Sequence, residues 1–386
     1  MPSLLCETVT GDTMDGLLAA RDRAAAADMV ELRLDGVKDL DLEAALHRRR
    51  GPVVVTCRPD WEGGRFTGRE EERHRILTRA LDLGADHVDI EWRALRRHQP
   101  FHQVVRAHGR RVVLSSHDFD GLPPDLCARV QEMRGAGAAL IKIAAAAATL
   151  SDTLPLLQIA RGHDAVVVGM GDAGVATRLL ATRFGSRWTY GGDGIAPGQV
   201  PAARMLDEFR FRSIGDDTRL YGVVGDDVMD SFEPAMHNAA FAAAGLDAVC
   251  VPLRAADFGD FLAFAAAIGF TGASVRAPFT RDALEAAADA DDESRRAGAA
   301  DTLRRGRAGW HATYVGIGDW GSGIGGDQGL EAGADRHPDP SRSPIPDPRS
   351  QLALRVSHAE RQFVWWTGQR PKPGVMHAVA IAKSGN

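Results

Sequence analysis

The chain has 386 residues, room for two or three domains, and its 44% hydrophobic and 25% charged residues are the balance of an ordinary globular protein. A net charge of -6 argues against a general nucleic-acid binder, and no apolar run approaches the roughly 18 residues of a membrane helix, so neither nucleic acid nor membrane is an expected partner. The four cysteines (Cys6, Cys57, Cys127, Cys250) form no Cys-x-x-Cys pair, and the opening MPSLLCETVTGD lacks a basic stretch followed by an apolar one. Reduced thiols, no metal site and a cytoplasmic location are therefore expected.

From the N-terminus, eight short β-like runs alternate with helix-like stretches: LLCETV, MVELRLD, VVVTCR, HVDIEW, VVLSSHDF, LIKIAA, VVVGMG and RWTYGG. Segments such as EEERHRILTRALDLGA and PPDLCARVQEMRGAG supply helices between them. Eight βα units predict a parallel (β/α)8 TIM barrel, with a doubly wound sheet as the runner-up that periodicity alone does not exclude. A barrel places its chemistry at the C-terminal ends of the strands. Polar residues gather there: Glu31, Arg33 and Asp35; Arg58 and then Glu62; Asp89 and Glu91; His117; Lys142; and the segments MGDAGVATR and GIAPGQ after the last two strands. A single strand-end charge is more often a solvated rim residue than a catalyst, but so many on one mouth shift the reading towards a site.

Lysine usage sharpens this reading. Among 46 basic residues only Lys38, Lys142, Lys372 and Lys383 are lysines, and Lys142 lies inside the apolar run LIKIAAAAAT. A buried lysine amine sheds its proton more readily and can attack a carbonyl to form an imine. An imine needs an acid/base to move protons, and His117 on the adjoining strand is the candidate. Arg33, Arg58 and Arg178 would hold a carboxylate and hydroxyls. These residue types point to Schiff-base chemistry on a small, anionic, oxygen-rich keto compound and leave aldolase and dehydratase open.

Residues 1–212 resemble the type I 3-dehydroquinate dehydratases, through VELRLD, TCRPDWEGGR, HVDIEW, SSHDF followed by PP, IKIA, MGDAGVATR, FGSRWTY and APGQVPA in family order. The resemblance implies that Lys142 forms the imine with 3-dehydroquinate, that His117 is the general acid/base, and that Glu62 accompanies it. It further implies that Glu31, Arg33 and Arg58 contact ring hydroxyls, that Arg178 clamps the carboxylate, and that Gln199 belongs to the lid. No cofactor is implied. Ile195 stands where the family often has a serine, which puts one lid hydrogen bond in question.

After the junction DEFRFRSIGDDTRLYGVVGDD, residues 213–315 resemble the substrate-binding domain of shikimate dehydrogenase, through LYGVVGDDVMDSFEPAMHNAAFAAAGLDAVCVPL, GFTGASVRAPFTRDALEAAAD and GAADTL. That family's reactive positions are altered. Of its two serines only Ser231 remains, the other being Glu233; Arg276 replaces a threonine, Thr280 the catalytic lysine and Asp301 an asparagine. Gln362 alone matches a substrate contact. The single Gly-x-Gly-x-x-Gly string, Gly316–Gly321, precedes a Gly/Pro-rich stretch that is no βαβ unit, so 316–355 reads as a linker in place of a nucleotide domain. Residues 356–386 read as the closing helix of those dehydrogenases, and VWWTG could seal a surface in a homodimer. The resulting expectation is a dehydratase in aromatic amino acid biosynthesis, lacking dehydrogenase activity. The alternatives are a bifunctional dehydratase/dehydrogenase and an inactive ligand sensor or scaffold.

Overall fold

The computed structural model describes residues 2–316 and 348–384. In the first half the strands are β1 Leu4–Val9, β2 Met29–Arg33, β3 Val53–Thr56, β4 His87–Glu91, β5 Val112–Asp118, β6 Leu140–Ala146, β7 Ala165–Met170 and β8 Trp188–Gly191, each on one of the eight runs read from the sequence. All the ladders are parallel, in the order β7-β6-β5-β4-β3-β2-β1-β8. The sheet curls back on itself, which excludes the doubly wound alternative. Among the described residues β7 and β8 share no ladder. Their seam is stitched by Arg187 N–H to Ala165 O at 2.8 Å and by Val167 N–H to Ser186 Oγ at 3.1 Å.

Alternation along the strands divides barrel interior from helix layer. On β6, Ile141 and Ile143 join the core beneath the helices, whereas Leu140 and Ala144 join an inner cluster with Val166, Val168, Trp188 and Tyr190. Both faces are buried, so the strands read as near-continuous apolar runs. Lys142 has the parity of Leu140 and Ala144 and so points inward. A register slip by one residue would put its amine among the helices.

The second unit is a six-stranded sheet of β9 Arg219–Gly225, β10 Ala248–Arg254, β11 Phe270–Val275, β12 Asp289–Ala290, β13 Thr302–Arg305 and β14 Trp310–Thr313, in the order β10-β9-β11-β13-β14-β12. The same two-residue period gives it two cores. Leu220, Val224, Val249, Val251 and Leu253 join the core that continues into the barrel. Tyr221, Val223, Ala248 and Cys250 face Phe241, Phe363, Trp366 and Met376. Where one closing helix is expected over 356–386, two occur, Pro348–Thr367 and Val375–Ser384, the first beginning inside the expected linker. The kink falls at RPKPG, where two prolines and a glycine cannot continue a helix. The rest of that linker, and Gly-x-Gly-x-x-Gly beyond Gly316, lie outside the described residues. No helix among the described residues is long and apolar enough to cross a membrane.

Candidate active site

At the C-terminal mouth of the barrel the inward positions change from apolar to polar one layer after another. Met29 is followed by Glu31 and Arg33, Val54 by Thr56 and Arg58, Val113 by Ser115 and His117, and Leu140 by Lys142. On β6 and β7 the inward positions above Lys142 stay apolar: Ala144, Val168 and Met170. The result is a cleft of about 760 Å³, counting its open mouth, with one polar and one apolar wall. Glu31, Arg33, Arg58, Glu62, His117, Lys142, Arg178 and Gln199 all line it.

Lys142 is only 5% exposed, yet its tip is not in an apolar pocket as its sequence neighbours suggest. Its Nζ lies 3.4 Å from Glu31 Oε1, 3.3 Å from Asp89 Oδ2 and 4.2 Å above the centre of the Tyr190 ring. The buried amine is thus paired and ring-supported, which offsets much of the several kcal/mol that an isolated buried charge costs. The carboxylates are themselves held. Glu31 accepts Thr8 Oγ1 at 3.1 Å and Thr56 Oγ1 at 2.8 Å. Asp89 accepts Ser115 Oγ at 2.5 Å and pairs with Arg58 Nη2 at 2.9 Å. Burial alone would raise the Asp89 carboxyl, but Arg58 and Lys142 hold it below its ordinary range. Arg58 Nη1 also donates to Glu91 at 2.6 Å and to Ser115 at 2.9 Å, and Arg73 pairs with Glu91 from behind. Both terminal nitrogens of Arg58 are therefore already bonded within the protein.

Across the cleft, His117 Nδ1 is 3.0 Å from Glu62 Oε1, and the His117 backbone N–H donates to the same oxygen at 3.2 Å. Burial, then the cations Arg58 and Lys142, press the imidazole well below its ordinary value. Burial pushes the Glu62 carboxyl up to about 8, against the pull of Arg58. Both shifts favour the neutral forms, a hydrogen bond in place of an ion pair. A neutral imidazole in a cleft can accept a proton.

Arg33 is engaged by Asp35 through two bonds of 2.8 and 2.9 Å. Arg178, on the short helix Val175–Leu179 after β7, is 2% exposed and has no carboxylate partner among the described residues. It donates only to the backbone oxygens of Tyr190 and Pro197, each at 3.2 Å, and its Nε is buried without a partner. Burial lowers it to about 10. The turn before this helix is tight: a side chain on Gly174 would come within 2.3 Å of the Gly169 backbone. Gln199 accepts the Ile195 and Ala196 N–H groups at 2.8 and 2.9 Å and reaches Thr8 Oγ1 at 3.4 Å. The 195–199 loop is therefore tied by main-chain donors, and the missing hydroxyl at Ile195 leaves this tie intact. Gly198 allows the loop to close, with φ +71° and its missing Cβ only 2.6 Å from Gly171 O.

The altered dehydrogenase positions cluster elsewhere, at the strand ends of the second sheet. Arg276 pairs with Glu233 at 2.7 Å and with Ser231 Oγ at 3.1 Å, and Glu233 also accepts Ser274 Oγ at 2.7 Å. Asp301 accepts the Val315 and Gly316 N–H groups, each at 2.8 Å, and lies 3.3 Å from His358 Nε2. Gln362 is fully buried between His237 Nε2 at 3.2 Å and Thr302 Oγ1 at 2.9 Å. Thr280 opens the helix Thr280–Glu285 and is bonded through its backbone oxygen to Ala300 N–H.

Sequence reading missed Tyr190 altogether and gave Asp89 no role beyond a strand-end charge. The inward parity shared by Trp188 and Tyr190 would have found the first. For the second, the signal was the alternation of Val88 and Ile90 with Asp89 and Glu91, which turns two carboxylates into the barrel.

A family profile described as Type I 3-dehydroquinase matches residues 5–216, and one described as Shikimate dehydrogenase substrate binding domain matches residues 223–303. The bifunctional 3-dehydroquinate dehydratase/shikimate dehydrogenase, chloroplastic, of Arabidopsis thaliana is 32% identical over 318 residues, covering 79% of this chain and 53% of that protein. This chain thus spans about half the length of that relative. The 3-dehydroquinate dehydratase of Methanosarcina barkeri is 34% identical over 203 residues, covering 48% of this chain and 83% of that protein. The crystal structure of 3-dehydroquinate dehydratase from Geobacillus kaustophilus HTA426 is 26% identical, with a TM-score of 0.49, covering 53% of this chain and 89% of that one. With more than half its length matched by the family profile, the chain belongs to the type I 3-dehydroquinase family, and its barrel is followed by a unit like the shikimate dehydrogenase substrate-binding domain.

Proposed function

We propose that this chain converts 3-dehydroquinate to 3-dehydroshikimate and carries out no dehydrogenase reaction. The observation that carries the reading is the Lys142 amine at the base of a cleft that also holds a neutral His117 and Arg178, an arginine with no acidic partner among the described residues. The Lys142 amine attacks the ketone carbon, the carbonyl oxygen leaves as water, and an imine forms. His117 takes a proton from the adjoining carbon, and the C–H electron pair moves towards the imine nitrogen. The resulting enamine expels the ring hydroxyl, which receives the proton from His117 and departs as water. A second water hydrolyses the imine and frees the lysine. Arg178 is the partner for the substrate carboxylate, and the two-nitrogen face of a guanidinium suits that group. Glu62 orients His117, Glu31 and Arg33 face the ring hydroxyls, and Gln199 holds the lid. Arg58 acts mainly through Asp89 and Glu91, since its terminal nitrogens are already used.

Two features support the loss of the second reaction. Ser231, Glu233 and Arg276 are bonded to one another, and Asp301 and Gln362 are satisfied by protein groups. There is also no lysine between Lys142 and Lys372 to serve as that reaction's base. The test is a paired assay: ultraviolet appearance of 3-dehydroshikimate, and NADPH-dependent reduction of 3-dehydroshikimate. Turnover in the first and none in the second is expected, and NADPH oxidation above background would overturn the monofunctional reading. Borohydride added with substrate should leave a mass adduct on Lys142.

A further inference from the structure

We propose that the second unit is a clamp that positions the carboxylate-binding end of the barrel. It grips the segment from Asp172 to Phe184, which carries Arg178, and through Arg178 it sets the 195–199 lid. The contact is a continuous core and not a hinge between separate bodies. β10 runs beside the helix Val175–Leu179, and its Val249, Val251 and Leu253 share one core with Val175, Leu179 and Phe184 of the barrel. The helix Phe258–Ile268 lies on the same side, with Phe258, Phe261 and Phe264 buried and Phe264 packed 6.4 Å from the Phe184 ring. Arg183 Nη2 donates to Ile268 O at 2.8 Å and fixes the far end of the segment.

A polar anchor adds direction to this packing. Asp260, 9% exposed on that helix, accepts the backbone N–H groups of Leu150 and Ser151 at 2.9 and 2.8 Å. Those residues belong to the barrel loop that follows β6, the strand of Lys142. The loop continues to Thr153, whose Cγ2 packs against Gly169 beside Thr177, the neighbour of Arg178. Thr177 Oγ1 is itself bonded to the Gly169 N–H and the Gly174 oxygen, at 2.9 and 2.7 Å. From Arg178 the chain of contacts reaches Pro197 O in the lid, where Gln199 holds the Ile195 and Ala196 N–H groups. Asp260, Phe264 and the inward face of β10 are thus positioning residues, one domain away from the cleft.

The clamp itself stands apart from the reaction, but its catalytic consequence rests on the dehydratase reading above. The test uses two carboxylates of one helix in the full chain. Asp257 caps the helix by accepting the Asp260 N–H at 2.8 Å and is exposed, whereas Asp260 alone reaches the barrel. Asp260→Ala should speed amide hydrogen exchange in 172–184 and 195–199 by about fivefold, corresponding to roughly 1 kcal/mol of easier local opening. Asp257→Ala should leave both segments at the wild-type rate. In the assay, Asp260→Ala should raise KM for 3-dehydroquinate about tenfold while kcat stays within about twofold, the signature of lost ground-state positioning. Asp260→Asn keeps one acceptor oxygen and should fall between, which covers the case of an alanine variant that fails to fold. Wild-type exchange of the lid in a folded Asp260 variant would overturn the clamp, and so would equal loosening by Asp257→Ala, which marks a helix effect only. If exchange responds as stated and the wild type turns over no 3-dehydroquinate, the clamp stands and the dehydratase reading falls.

Discussion

Arg178 and Arg276 follow the C-terminal ends of strands in this molecule's two sheets, and they differ in what they touch. Arg178 is almost completely buried and, among the described residues, bonded to backbone oxygens only, with one nitrogen left without a partner. Arg276 is 35% exposed in its side chain and, although its Nε too lacks a partner among the described residues, its terminal nitrogen is paired with the Glu233 carboxylate and Ser231, so the two arginines differ in counter-charge. A buried cation without a counter-charge is costly, and a fold keeps one where a ligand's charge completes the pair. A cation paired internally has no such vacancy to offer. The same comparison extends to the neighbours: the barrel leaves Lys142 and His117 facing a cleft, while the second sheet ties Asp301 and Gln362 to protein groups.

Substitutions can break this contrast, beginning with the largest effect. Lys142→Ala should lower kcat by about 10⁴-fold or more and abolish the borohydride adduct in intact-protein mass spectra, because the covalent route is lost. Turnover retained in that variant would remove the Schiff base from the mechanism. Arg178→Ala should reduce kcat/KM by on the order of 10²-fold, mostly through KM, as expected when a charge-assisted carboxylate contact disappears. If kcat alone fell, Arg178 would belong to the chemistry and not to binding.

Arg276→Ala tests the other side of the contrast through stability. It strands the Glu233 carboxylate and should cost about 2–3 kcal/mol in urea unfolding, below the range for a fully buried pair because the guanidinium is partly exposed. Dehydratase kcat should be retained in the folded variant. The pair also predicts an acid effect. Burial would raise the Glu233 carboxyl, but Arg276 holds it at about 2, below its unfolded value near 4.5. A depressed carboxyl stabilises the fold above the unfolded value, so this contribution is lost as pH falls from about 4.5 towards 2, and Arg276→Ala should flatten that part of the stability profile.

The smallest expected effect concerns the His117–Glu62 pair. Burial pushes the Glu62 carboxyl up to about 8, and its ionised form makes the imidazole a better base. kcat/KM should therefore rise through about pH 8, by roughly tenfold, and Glu62→Gln should remove the step. Because His117 stays neutral well below its usual range, no drop centred at 6.5 is expected on the acid side.

Much of the barrel was legible because both faces of a parallel strand are buried, and Val- and Ile-rich runs cannot lie elsewhere. Lys142 and His117 stood out against those runs, as polar residues on or at the end of an apolar strand, and Arg178 in the segment that follows one. What lay beyond reach was pairing. Lys142 meets Glu31 and Asp89 across 111 and 53 residues of sequence, and no local pattern connects them. The Tyr190 ring under the amine and the Asp260 anchor in the other unit are of the same kind. Residue type and alternation along the chain determined the eight strands, the side each residue faces and the presence of an inward lysine and histidine at one mouth. Barrel closure and the docking of the second sheet decided which charges neutralise one another and that the buried Arg178 has no counter-charge among the described residues, because electrostatic partners are set by distance in space.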